Sequence, residues 1–198
     1  QPPQFTLSSN VQGYPPAPLQ IGLYSTPAIV DFDDDSRKDL LVGDEDGFVT
    51  LFLNSGTDKD PIFTGGFELK VFGTSADKGT FTENLDVGGL ARPIPVDWNN
   101  DGKKDLIVGN NFGQVTYFRN IQSDHAPLFA SGTTIQIGSP TRTALDVGAY
   151  ATPVVVDWNN DGKKDLIIGN SDGNVYCALN IGTDDNPAFG TLTKLSTP

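Results

Sequence analysis

Asp157-Trp158-Asn159-Asn160-Asp161-Gly162-Lys163-Lys164-Asp165 repeats, letter for letter, as Asp97 through Asp105. A looser copy runs Asp31-Phe32-Asp33-Asp34-Asp35-Ser36-Arg37-Lys38-Asp39. Carboxylate or amide oxygens occupy positions 1, 3, 5 and 9 of each nonamer. Short oxygen-bearing side chains at alternate positions can close around a hard cation, with the carbonyl of position 7 as a further ligand. The chemistry this spacing suits is Ca²⁺ binding, about three ions in all. The ligand sets are Asp31, Asp33, Asp35, Arg37 (carbonyl) and Asp39; Asp97, Asn99, Asp101, Lys103 (carbonyl) and Asp105; and Asp157, Asn159, Asp161, Lys163 (carbonyl) and Asp165. Gly102 and Gly162 at position 6 permit a sharp bend. Ser36 takes that place in the first loop and would carry a cost of roughly 1–2 kcal/mol in a left-handed conformation. Mg²⁺ suits such a cage poorly, because it resists full dehydration.

Without a cation the arrangement is expensive. Two charges ~4 Å apart repel by about 4 kcal/mol at an effective dielectric of 20, against a typical fold stability of about 5–15 kcal/mol. Asx-turns that merely shape a hairpin would not need three or four converging carboxylates. Ten of the 25 acidic residues sit at these ligand positions, and three Ca²⁺ would halve the formal net charge of −12.

The elements around the loops are strands. An EF-hand would place a bidentate Glu at position 12 and continue into a helix; here position 12 is Val42, Val108 or Ile168, inside a run ending in Gly43, Gly109 or Gly169. Each unit opens on an apolar-x-apolar-Gly signal: Leu19–Gly22, Leu85–Gly88, Leu145–Gly148. A first strand is expected at 27–32, 93–98 and 153–158, with Ala28/Val30/Phe32, Ile94/Val96/Trp98 and Val154/Val156/Trp158 on one face. A second strand follows at 39–43, 105–109 and 165–169. Turns ending in Gly47, Gly113 and Gly173 close a hairpin to a third strand, which ends in Asn54, Asn120 and Asn180. A loop with a recurring Thr/Ser-Asp pair then leads to Pro-x-Phe and a fourth strand, expected at Phe63, Phe129 and Phe189.

Four antiparallel strands per ~60 residues is the plan of a propeller blade. The third strands carry apolar bulk on both faces, as sheets stacked between sheets require. These residues resemble the FG-GAP or VCBS repeat of integrin α-chain type, over nearly the whole chain. The Gly and Pro of the family's signature stand at Gly22…Pro27, Gly88…Pro93 and Gly148…Pro153. The resemblance implies an all-β fold of three four-stranded propeller blades, about 19–70, 85–138 and 145–195. Residues 1–18, whose Pro3-Gln4-Phe5 echoes the later Pro-x-Phe, form the last strand of a preceding blade plus a linker. Residues around Gly73–Asn84 are an excess loop. Three blades are too few to close a ring of about four to eight, so a dimer closing six blades, or a place in a longer propeller chain, is expected.

The resemblance further implies a non-catalytic, calcium-stabilised module, extracellular or at the cell surface, that binds carbohydrate or protein. Its alternatives are the propeller part of a calcium-dependent polysaccharide lyase and a structural spacer. The acidity excludes nucleic acid as a partner, and no apolar run approaches the ~20 residues of a membrane span. The chain has no Met, which points to a processed start or a longer parent. Cys177 aligns with Leu51 and Tyr117 and reads as a buried, inert thiol. Trp98 and Trp158 read as core, Tyr24 and Tyr150 as the better surface candidates for stacking on a sugar with structural packing as the default, Arg119 as a rim residue and His125 as an ordinary surface residue. No Ser/His/Asp, zinc or phosphate-loop signature is present, so no catalytic residue is assigned.

Overall fold

A computed structural model describes residues 19–63, 65–75, 79–138 and 140–197. The described residues contain strands and turns and no helix, hence no helix able to cross a membrane. The expected strand at the N-terminus, within 1–18, lies outside them.

The first of three four-stranded sheets, labelled blade 1 to blade 3 for convenience, pairs β1 (Thr26–Val30), β2 (Asp39–Gly43), β3 (Val49–Phe52) and β4 (Phe67–Glu68) in that order, all antiparallel. A hairpin of β5 (Lys70–Ser75) and β6 (Gly79–Asn84) then leads to blade 2. Blade 2 contains β7 (Arg92–Val96), β8 (Asp105–Gly109) and β9 (Val115–Phe118). The short β10 (Phe129–Ala130) precedes its fourth strand, β11 (Thr133–Thr134). A smaller hairpin, β12 (Gln136–Ile137) and β13 (Thr143–Ala144), precedes blade 3. Blade 3 is β14 (Thr152–Val156), β15 (Asp165–Gly169), β16 (Val175–Ala178) and β17 (Thr193–Lys194).

The second strands lie where the sequence pattern puts them. The fourth strands do not. Phe63, Phe129 and Phe189 each make one bridge to Asn54, Asn120 or Asn180, and the paired strand resumes four residues later. The reason is local: in blades 1 and 2 the chain must cross the rings of Phe52 and Phe118. It does so on Gly66 and Gly132, where a Cβ would lie within 2.4 Å and 2.6 Å of those rings. The excess around Gly73–Asn84 is a hairpin rather than a loop. Its β5 pairs in parallel with β10, placing Val71 beside Phe129, and Ile137 makes the matching parallel bridge to Phe189. Each linking hairpin thus reaches forward and grips the Phe of the next blade.

Two apolar layers lie between the three sheets. The first joins Phe32, Leu41, Val49 and Leu51 of blade 1 to Leu106, Val108 and Phe118 of blade 2. The second joins Trp98, Ile107 and Val115 to Leu166, Ile168, Ala178 and Phe189. Trp98 is fully buried, 6.1 Å from both Tyr117 and Phe189 between ring centroids. Trp158 departs from its expected core position: it is 52% exposed, because blade 3 has no following sheet among the described residues. Cys177 is buried, and His125 and Arg119 are exposed, as their alignments suggest.

Sheets approach so closely that a Cβ on Gly43 or Gly109 would fall 2.1 Å from the carbonyl oxygen of Ala91 or Ala151. Gly109→Ala is therefore expected to destabilise the fold by about 1–3 kcal/mol or more through overpacking against backbone. Urea denaturation checks it, and an unchanged midpoint would contradict the close approach.

Candidate metal centres

Each loop is a compact ring of backbone amides around its first carboxylate. Asp31 accepts the amides of Asp35 (3.0 Å) and Ser36 (3.0 Å). Asp97 takes those of Asp101 (3.1 Å) and Gly102 (3.0 Å), and Asp157 those of Asp161 (3.0 Å) and Gly162 (2.9 Å). The position-5 carboxylate accepts the amide of position 7 in all three loops, at 2.9 to 3.1 Å. This winding needs two left-handed residues. Position 6 has φ of 69° at Ser36 and 83° at Gly102 and Gly162, so the serine does carry the conformational cost expected of it. Position 4 is left-handed as well: Asp34 at 59°, Asn100 at 59°, Asn160 at 58°. Asp and Asn are the side chains that best tolerate that region, so their recurrence at position 4 is a sequence signal of this winding.

The ninth residue has a different environment. Asp39, Asp105 and Asp165 are almost wholly buried. One oxygen accepts the amide of position 2 (2.7, 3.3 and 3.0 Å). The other accepts the amide of Asn54, Asn120 or Asn180 at the end of the third strand (2.8, 2.7 and 2.7 Å). Asp105 also accepts the Tyr117 hydroxyl at 2.9 Å. Burial pushes the Asp105 carboxyl above the ordinary range despite these bonds, and burial together with that carboxylate raises the Tyr117 phenol. In each of the three residues the oxygen bound to the third-strand amide accepts that one bond and keeps a lone pair, so the residue can both brace the blade and ligate.

Loop 1 gathers charge most tightly. Oxygens of Asp31, Asp33 and Asp39 lie within 4.8 Å of one another, the one such triple of acidic side chains among the described residues. Asp33 Oδ1 is inaccessible and has no hydrogen-bond partner. Burial, then the neighbouring Asp39 and Asp35, raise the Asp33 pKa. An orphaned buried carboxylate oxygen beside two further carboxylates fits a hard divalent cation. In loops 2 and 3 the third ligand is the neutral Asn99 or Asn159, whose amide instead donates to Asp101 or Asp161 at 3.0 Å. Asn99 and Asn159 oxygens also accept the Asp101 and Asp161 amides at 3.1 Å. Hydrogen bonding from Asn159 holds the Asp161 carboxyl below the ordinary range.

Position 7 contributes more than a carbonyl. The Arg37 side chain pairs with Asp35 and donates from Nε to the Asn54 carbonyl at 2.6 Å. Lys103 and Lys163 lie 3.8 and 3.6 Å from Asp101 and Asp161. Arg119, at the rim, adds a 3.3 Å contact to Asp101.

Position 8 links neighbouring blades, a role the spacing alone did not reveal. Its backbone amide and ammonium both bind the Asp of the recurring Thr/Ser-Asp pair: Lys38 to Asp58, Lys104 to Asp124, Lys164 to Asp184. The ammonium also reaches back to position 4 of the preceding loop, Lys104 to Asp34 at 2.5 Å and Lys164 to Asn100 at 2.6 Å. Burial opposes ionisation of Asp184, but bonds from Lys164 and Asn100 outweigh it and hold the carboxyl low.

Asp105→Ala would strand the amides of Trp98 and Asn120 and the Tyr117 hydroxyl. At about 1–3 kcal/mol for each unsatisfied group, a loss of at least ~3 kcal/mol is expected, in chelator as well as in calcium. Urea melts in both media measure it; a loss confined to calcium would reduce Asp105 to a ligand alone. Asp33→Asn should act in opposite directions. It is expected to stabilise the metal-free chain by on the order of 1 kcal/mol, by removing one of three crowded charges, and to weaken calcium binding at loop 1. Lower stability of the variant in chelator would contradict the charge-crowding account.

Residues 97–168, from the second loop to β15, match the FG-GAP-like repeat family model. No curated protein matches the chain in sequence. Among solved structures, a Photorhabdus luminescens Tc holotoxin pore is similar over 87% of this chain, with 16% identity and a TM-score of 0.44. The chain spans 7% of that protein's chain.

Proposed function

We propose that this chain is a calcium-braced array of β-propeller blades that serves as a non-catalytic binding module of a secreted or cell-surface protein. One observation carries the metal reading: the orphaned, inaccessible Asp33 Oδ1 stands among the carboxylates of Asp31 and Asp39, in a loop whose oxygen pattern recurs twice. In each loop positions 1, 3, 5 and 9 and the position-7 carbonyl would hold the ion. Bound Ca²⁺ would supply the positive charge that these side chains otherwise obtain from Arg37, Lys103, Lys163 and Arg119. The loop joins the first and second strands, so an ion there ties both to the third strand through the ninth residue.

The FG-GAP-like repeat over residues 97–168 supports a repeat module rather than an enzyme. The ligand is carbohydrate in our reading. Tyr24 and Tyr150 support it: they are exposed aromatic residues at a repeat position where the second repeat carries the buried Leu90, all three in the same left-handed backbone. Arg92 lies over the Tyr150 ring at 5.5 Å and lines a mostly apolar cleft with Pro27, Pro93, Ile94 and Pro153, edged by Thr26 and Thr152. Aromatic faces with a few polar groups are what a sugar-binding surface requires. Glycan-array binding that is lost on Tyr150→Ala, with the melting temperature preserved, is the expected result; no glycan bound would favour a protein ligand.

Calcium should also appear as linkage. A site occupied at a hundredfold excess over its dissociation constant contributes about 2.7 kcal/mol, or roughly 5 °C or more in a chain of this size. Excess chelator is thus expected to lower the melting temperature by at least about 5 °C. Equilibrium dialysis should count about three ions, falling by one in Asp97→Ala or Asp157→Ala. An unchanged melting temperature and stoichiometry would overturn the metal reading.

A further inference from the structure

The three blades present the same two faces, and the repeat shows what each face is built to touch. Phe32 and Trp98, on the trailing faces of blades 1 and 2, are 0% exposed beneath the next sheet, whereas Trp158 of blade 3 is 52% exposed. Val154, Val156 and Val175 beside it are also exposed. Gly43 and Gly109 each face a carbonyl of the following blade, while a Cβ on Gly169 would meet nothing within 4 Å. At the opposite end, on the leading face of blade 1, Ile29 is 68% exposed.

The polar contacts are incomplete in the same way. The Lys104–Asp124 and Lys164–Asp184 pairs are covered by Asp34 and Asn100 of the preceding loop, and their side chains are 17%/5% and 22%/9% exposed. The equivalent Lys38–Asp58 pair is 63%/41% exposed. Asn100 completes its contact twice: its oxygen accepts from Lys164 at 2.6 Å and its amide donates to Asp184 at 3.1 Å. Asn160, of the same type, position and left-handed conformation, makes no such contact among the described residues. Lys38–Asp58 and Asn160 thus carry the groups that meet between neighbouring loops elsewhere in the repeat, here without that partner among the described residues.

We propose that the trailing face of blade 3 binds the leading face of blade 1 on a second copy of this chain, head to tail. Asn160 would take the place against the partner's Lys38 and Asp58 that Asn100 takes against Lys164 and Asp184. The incoming blade would cover Trp158 and bring a carbonyl to Gly169. Such an interface is heterologous and must close or propagate. Two copies make six blades, within the range of about four to eight that propeller rings use, so a closed pair is the state assigned. This deepens the propeller reading above and rests on it.

Light scattering coupled to size exclusion, on the whole chain in millimolar calcium, should give about twice its 21.1 kDa. Gly169→Ala has open space in the single chain, so it should fold normally and yet raise the dimer dissociation constant tenfold or more; Trp158→Glu should do the same. A short bis-maleimide, applied to mixed Lys38→Cys and Asn160→Cys chains in a Cys177→Ala background, should join one variant to the other. A monomer at micromolar concentration overturns the inference, as does cross-linking of Asn160→Cys chains to themselves. Ion counts by dialysis on the same samples separate this outcome from failure of the calcium reading: a monomer that still binds about three ions sinks the pairing alone.

Discussion

A buried carboxylate at the head of each second strand holds the blades in shape. Asp39, Asp105 and Asp165 accept one amide from the loop and one from the end of the third strand. The loop leaves the first strand and must turn back without exposing the amides at its base, since an unpaired buried amide is costly. A single side chain of the right length answers both. The same residue stands beside the other carboxylates of its loop, so the group that organises the hairpin is also one that the proposed ion would meet.

Around that carboxylate the loops differ in how they deal with charge. Loop 1 carries Asp at its third position and crowds three carboxylates, leaving Asp33 Oδ1 with no proton donor. Loops 2 and 3 substitute Asn, whose amide can donate to the position-5 carboxylate. The extra charge of loop 1 accompanies the one left-handed serine at position 6. A more negative cage strengthens the attraction for a cation, and this offsets a backbone that is less easily wound. The charge crowding is thus largest in loop 1.

The blades are coupled by the residues between the ligands rather than by the ligands themselves. Position 4 of one loop and position 8 of the next share a hydrogen bond, and the glycine that ends each second strand admits the next blade's carbonyl. Linking hairpins add parallel contacts to Phe129 and Phe189. Both apolar layers are therefore bounded by polar contacts that recur with the repeat and fix how one sheet is set on the next. Stability in such a stack is shared between neighbours, as in other repeat architectures.

The sequence by itself determined the repeat, the strand-loop-strand unit, the second strands to the residue and the buried character of Trp98 and Cys177. Those follow from alternation, glycine placement and side-chain chemistry, all of which act over a few residues. The cluster Asp31, Asp33, Asp39 was legible for the same reason, since its members are at most eight positions apart. Tertiary structure decided the rest. The fourth strands begin beyond Phe63, Phe129 and Phe189; in blades 1 and 2 the chain must first clear the rings of Phe52 and Phe118. The excess at Gly73–Asn84 is a hairpin because Phe129, far along the chain, offers its first strand an edge. Lys104 and Asp34 are seventy positions apart, and no local pattern announces that they touch. Trp158 differs from Trp98 in exposure though the two loops are identical, because burial is a property of the neighbouring sheet and not of the residue.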